Sequence, residues 1–264
     1  MISQILDNQT ISFRYFFSRR EILEEPFWVD VGDCKLACYY KTKQKSNYTI
    51  VHFHGNGETV PDYVEEFVPK IQWIDLDCFM AEYRGYGLSD GRAGLTTILS
   101  DVEKIVKAIP QPIENLIFYG RSIGSIYAIH AASLFPNAAG LILESGISNL
   151  LERLYLRVEP KEVGVSKKEF ENEVNQYFNQ KEKLSNFKGS TLIMHTENDD
   201  IVDVQHGHQL FEWSNEPKSL KIFERGNHNT IMLVNENEYY KTIKEFVNNI
   251  QIKKFETNFS KKKI

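Results

Sequence analysis

The sequence predicts an α/β fold, a mostly parallel sheet with helices on both faces. Three observations carry this. Short apolar runs alternate along the chain with segments whose apolar residues recur at helical spacing. One such run, Leu116-Ile117-Phe118-Tyr119, passes through Gly120-Arg121-Ser122-Ile123-Gly124 straight into a helical segment. The length, 264 residues, suits one domain with a modest insertion.

Residues 27–40 read as a leading hairpin turning at Gly32-Asp33. Strands are then expected at 48–54, 76–83, 116–119 and 140–144, and helices at 62–72, 97–109 and 125–135. Thr59 and Pro61 start the first helix, and Ile98, Val102, Ile105, Val106 and Ile109 form one face of the second. After an interruption the pattern resumes, with strands at 191–195 and 220–223 and helices at 204–213 and 238–250. The core domain is therefore expected at 1–145 and 190–264, with a small helical cap or lid inserted at 146–189. Within the insertion Leu150, Leu151, Leu154 and Val158 make one helical stripe. Ser166-x-x-Glu169 is a capping box before a second helix bearing Phe170, Val174 and Phe178. The apolar face of this cap is expected to help line a substrate pocket.

Composition excludes several classes. The chain is 42% hydrophobic and 25% charged, as in an ordinary globular protein. A net charge of −5, from 31 basic and 36 acidic residues, gives no reason to expect a nucleic-acid partner. The first residues lack the cationic and apolar regions of a secretory leader, and no run of about 18 apolar residues suggests a membrane span. Lipidation motifs are not seen. Cys34, Cys38 and Cys78 sit in strand-like segments and read as reduced thiols. A cytoplasmic protein without stable membrane insertion is expected. The basic Lys261-Lys262-Lys263 reads as a solvated end, and oligomeric state is not encoded legibly.

In a parallel sheet, ligands sit at the carboxyl ends of the strands, where Ser122 falls. A strand–Gly-x-Ser-x-Gly–helix turn needs small neighbours and pushes its serine out of the sheet, so Ser122 is the candidate nucleophile. Gly87-Leu88-Ser89-Asp90-Gly91 matches the same spacing but leads into a turn-rich stretch, so Ser89 reads as loop. A serine hydroxyl needs a base, and the base needs an acid to fix its tautomer. His228, in Arg225-Gly226-Asn227-His228-Asn229 between the last strand and last helix, is the candidate base. For the acid, Asp199 is preferred over its neighbour Asp200, while Asp203 is placed to cap the helix starting at Val204. Main-chain N–H groups of Ile123, after the nucleophile, and of Asn56, in His54-Gly55-Asn56-Gly57, are the candidate oxyanion-hole donors. His206-x-His208 lacks companion ligands at useful spacing, so neither metal nor other cofactor is expected.

Taken together, five motifs stand in family order. They are His54-Gly55-Asn56-Gly57, Glu82-Tyr83-Arg84-Gly85-Tyr86-Gly87-x-Ser89, the Gly120–Gly124 turn, His195-x-x-x-Asp199-x-x-Val202 and Gly226-Asn227-His228. The chain resembles the α/β-hydrolase superfamily over roughly residues 27–250, nearest its serine-aminopeptidase-like and small acyl-hydrolase branch. The resemblance implies an eight-stranded sheet with an antiparallel strand near its start. It implies a triad of Ser122, Asp199 and His228, and it gives Arg84 and Tyr86 the task of bracing the oxyanion loop. One departure stands out: Thr196 follows His195 where relatives often have glycine. The expected activity is cofactor-free hydrolysis of a small-molecule acyl ester or thioester through an acyl-enzyme. Alternatives are a peptidase or amidase on the same triad, and a non-catalytic binding protein of this fold.

Overall fold

The computed structural model describes residues 2–42 and 46–261, the side chains of 257–261 excepted. The Lys261-Lys262-Lys263 tail thus lies outside the described side chains. Eight strands form one sheet: β1 (Phe27–Asp30), β2 (Lys35–Lys41), β3 (Thr49–Phe53), β4 (Asp77–Ala81), β5 (Leu116–Arg121), β6 (Gly140–Glu144), β7 (Ser190–Thr196) and β8 (Lys218–Phe223). Their spatial order is β1-β2-β4-β3-β5-β6-β7-β8. The expected leading hairpin is present: β1 pairs antiparallel with β2, and β2 antiparallel with β4, while every later pairing is parallel. Gly32 turns the hairpin with φ 98°.

Eleven helices are described: α1 (Gln9–Tyr15), α2 (Pro61–Val64), α3 (Phe67–Trp73), α4 (Leu95–Ala108), α5 (Gly124–Leu134), α6 (Leu150–Tyr155), α7 (Lys167–Phe178), α8 (Gln180–Ser185), α9 (Val204–Trp213), α10 (Ile231–Val234) and α11 (Glu236–Lys261). Alternate strand residues point to opposite faces, and each face buries its own core. Phe118, Leu141 and Leu143 pack with α4, α5, α8 and α9, whereas Ile117, Tyr119 and Ile142 pack with α3 and α11. Because the chain steps from β3 outward to β4 and returns on the other side as β5, the loops leaving β3 and β5 diverge and open a crevice between them.

Three of the expected elements differ from expectation, and α1 and α10 were not expected at all. The single helix read at 62–72 is two, α2 and α3. Pro69 lacks an N–H and its ring would clash with the Glu65 carbonyl in a continuous helix, so the break falls at Glu65-Glu66. The closing helix runs well past residue 250. Among the residues whose burial is described, the buried ones stop at Ile250, and with them the apolar signal that reading followed. The insertion holds three helices and a short 3-10 turn (Pro160–Val163) instead of two helices, with both halves of the Ser166/Glu169 capping box formed.

The apolar stripe of that insertion faces the body. Leu150, Leu154, Val158, Phe170, Val174 and Phe178 are buried in the same core as α4 and α5. What α6 and its flanks turn toward the crevice is Ile147, Arg153 and Arg157.

Candidate active site

Ser122 sits at the end of β5 in a left-handed conformation, φ 52°, which its Cβ disfavours. The flanking packing holds it there. A Cβ on Gly120 would lie 2.5 Å from the Ser125 Cα, and one on Gly124 would run into the Phe53 carbonyl. Only glycine lets the start of α5 press against the end of β3, and that contact sets the His54-Gly55-Asn56 turn beside Ser122. The Ser122 N–H donates to the Glu144 carbonyl at 2.9 Å, which ties the turn to β6.

The structure brings Ser122, His228 and Asp199 together from three strand ends. His228 Nε2 lies 3.0 Å from Ser122 Oγ, and His228 Nδ1 lies 2.9 and 3.0 Å from the two Asp199 oxygens. Asp200 is exposed, and Asp203 caps α9 by accepting from the Gln205 N–H. The Asp199 carboxyl is fully screened from solvent. Burial alone would raise its pKa, but the His195 and His228 ring N–H groups and the Val202 N–H hold it well below the ordinary carboxylate range. His195 Nε2 is shared between Asp199 Oδ2, at 3.3 Å, and the Val202 carbonyl, at 2.8 Å.

Asn56 and Ile123 line the same cavity as Ser122 and His228. Among the described residues neither main-chain N–H donates to another protein group. The Asn56 side chain is clamped: Oδ1 accepts from the Phe17 N–H and the Tyr86 hydroxyl, both at 2.9 Å, and Nδ2 donates to the Tyr15 carbonyl. Tyr86 therefore braces this turn as expected. Arg84 does not; it pairs with Asp33 and Asp101, joining the hairpin turn to α4. Ser89 is buried, and its hydroxyl accepts from the Ala37 N–H in β2.

Two supports of the site escaped sequence reasoning. His54 is buried with Nδ1 at 2.8 Å from the Gly55 carbonyl and Nε2 at 2.8 Å from Glu82 Oε1. Both ring nitrogens face acceptors, so only the imidazolium satisfies both. Burial lowers its pKa, but the Glu82 carboxylate, the Gly55 carbonyl and the Glu58 charge outweigh that and raise it. Both residues head motifs quoted from the sequence, yet their spacing gives no sign that the motifs touch. The second support is Arg121, which ion-pairs with Glu58 and Glu144 and donates to the His228 carbonyl. His206 is buried against Ser148 and Glu152.

An eight-stranded sheet with this strand order, carrying a serine on the sharp turn after β5, is an α/β-hydrolase fold. Residues 44–164 match the family model described as serine aminopeptidase, S33. Human alpha/beta hydrolase domain-containing protein 17B is 27% identical over 218 residues, covering 81% of this chain and 71% of that protein. Among solved structures, Est1E from Butyrivibrio proteoclasticus with ferulic acid bound superposes with a TM-score of 0.69 at 17% identity, covering 86% of this chain and 99% of that one. The Pyrococcus furiosus esterase Pf2001 gives 0.68 at 14% identity, with 89% and 98% covered. Such structural likenesses carry the fold.

Proposed function

We propose that the protein is a serine hydrolase of small-molecule carboxylic esters or thioesters. The observation that carries this reading is the continuous chain Ser122 Oγ, His228 Nε2, His228 Nδ1, Asp199, with both links near 3 Å. In the proposed reaction His228 Nε2 takes the proton as Ser122 Oγ attacks the carbonyl carbon. Asp199, held ionised, fixes the Nδ1–H tautomer and stabilises the imidazolium. The main-chain N–H groups of Asn56 and Ile123 hold the oxyanion. Collapse of the tetrahedral intermediate expels the alkoxide or thiolate, which takes its proton from Nε2. Water then attacks the acyl-enzyme with His228 as base, releasing the acid and restoring Ser122. No cofactor takes part.

The family description raises a second reading, an aminopeptidase on the same groups. Arg153 and Arg157 on the cavity wall disfavour it, because a substrate's protonated α-amine would meet two like charges. The Pyrococcus furiosus structure named as an esterase shares the fold and supports the ester reading. Among the described residues no helix is long and apolar enough to cross a membrane.

A fluorophosphonate probe should label the parent chain and fail on Ser122→Ala, with Ser89→Ala labelled normally. p-Nitrophenyl esters should turn over and aminoacyl anilides should not. An unlabelled parent chain would point to the non-catalytic reading.

A further inference from the structure

The cavity above Ser122 and His228 encloses about 170 Å³. Drug-sized ligand pockets are typically about 300–1,000 Å³, so this one suits a short substrate arm. Its charge is uneven. Of the carboxylates near it, Glu58 is ion-paired with Arg121, and Asp199 is committed to two histidines. Around α6, Glu152 faces His206 at 3.6 Å and Glu162 pairs with Arg14 at 2.8 Å.

Arg153, in α6, and Arg157, in the turn that follows it, both reach the cavity wall. Among the described residues neither guanidinium has a carboxylate partner within 4 Å. Arg153 is half-buried and Arg157 exposed, with the Arg157 guanidinium 5.2 Å from the Phe17 ring centre. Both also act on the buried Tyr15 phenol, which lines the same cavity. A guanidinium cannot discharge by losing its proton, so an unpaired pair, of which Arg153 is partly desolvated, favours an incoming anion.

We propose that Arg153 and Arg157 bind an anionic group, carboxylate or phosphate oxygens, on the ester or thioester, and so select short anionic substrates. The inference rests on the reading of Ser122 as nucleophile, but its binding part stands apart from turnover. Guanidinium forks match the paired oxygens of carboxylate and phosphate, and each charge-assisted contact multiplies affinity by about 10 to 100.

Two matched substrate pairs test the proposal and locate the charge. Mono-p-nitrophenyl glutarate against p-nitrophenyl pentanoate puts it on the acyl side. S-butyryl 4′-phosphopantetheine against S-butyryl pantetheine puts it on the leaving group. In the parent chain kcat/KM for the anionic member of one pair should exceed that of its neutral partner by at least about tenfold. That ratio should fall toward one in Arg153→Gln/Arg157→Gln, and the pair that responds identifies the arm. Parallel calorimetry on Ser122→Ala, with the same four compounds, reads binding without turnover. Tighter binding of the anionic member there, lost when both arginines are replaced, would uphold the anion site even if no compound is hydrolysed, and the hydrolase reading alone would fall. Charge-blind binding to Ser122→Ala, or a ratio that survives the double replacement, would overturn the proposal.

Discussion

Arg121 Nη2 donates to the main-chain carbonyl of His228 at 2.9 Å, joining the residue before Ser122 to the loop that carries His228. The same guanidinium pairs with Glu144 at the end of β6 and with Glu58 in the turn after β3. One side chain therefore spans the loops that hold Ser122, His228 and Asn56. Its side chain is 11% exposed, so truncation strands two poorly solvated carboxylates. Arg121→Gln should lose about 3–5 kcal/mol of stability in urea unfolding. Arg121→Gln/Glu58→Gln should lose less than the sum of its single variants, since it leaves only Glu144 uncompensated. For kcat the loss in Arg121→Gln should be about 10- to 100-fold with little change in KM, because the base is displaced and the substrate contacts remain.

The left-handed backbone of Ser122 predicts an inversion in a pair of inactive variants. Alanine keeps the Cβ that φ 52° disfavours, and glycine removes it. Ser122→Gly should be more stable than Ser122→Ala by about 1 kcal/mol, against the usual cost of glycine in a folded chain. Equal stabilities in matched urea titrations would mean that the turn is not strained. Gly124→Ala should be strongly destabilised, since its methyl would overlap the Phe53 carbonyl.

These dependencies separate what the sequence discloses from what it conceals. The strands and the Ser122 turn were legible because their signals are local, namely period-two or continuous apolar runs and two glycines at fixed offsets. Asp199 and His228 were legible because each follows a recognisable strand end. Arg121 was not, because its partners lie 63, 23 and 107 residues away and an arginine beside a serine carries no mark of burial. The α1 segment went unread because its seven residues bear no sustained period, yet Tyr15 and Phe17 hold the Asn56 side chain. For α6, periodicity located the apolar stripe, but only the packing shows that the stripe faces the core and that Arg153 and Arg157 face the cavity.

Asp199 and Asp200 are adjacent carboxylates in unlike surroundings, and their variants should part accordingly. Asp199→Asn keeps the shape but removes the charge that steadies the imidazolium, and kcat should fall about 10⁴-fold, as for other triads. Asp200→Asn, at an exposed position, should leave kcat unchanged. Stability gives a second readout. The folded pKa of Asp199 is depressed, so its contribution is present above the unfolded value of about 3.9 and is lost as pH falls through the folded one. The stability gap between parent and Asp199→Asn should therefore narrow on acidification below about pH 4. A gap constant from pH 7 to 3 would remove the carboxylate from the account.

The His54–Glu82 pair runs the other way. The folded pKa of His54 is raised, so the stability it supplies is complete below the unfolded imidazole value, about 6.5, and is lost as pH climbs through the folded value. His52, buried neutral among Tyr63, Phe67 and Tyr119, has its pKa driven well below the ordinary value and acts in the opposite sense as pH falls below about 6.5. The comparison must therefore isolate His54. Replacing His54 alone would leave Glu82 buried without its cation, so the reference is His54→Gln/Glu82→Gln, which keeps a hydrogen-bonding pair and removes both titrations. Measured by urea unfolding from about pH 6 to 9, the parent should lose stability relative to this variant, which retains His52 and so cancels it. Since His54 leads directly into Gly55 and Asn56, the parent's kcat should decline relative to the double variant's over the same interval, the ratio cancelling the titration of the base that both share. Parallel stability curves for the two proteins would show that the imidazolium is not the form that holds the turn.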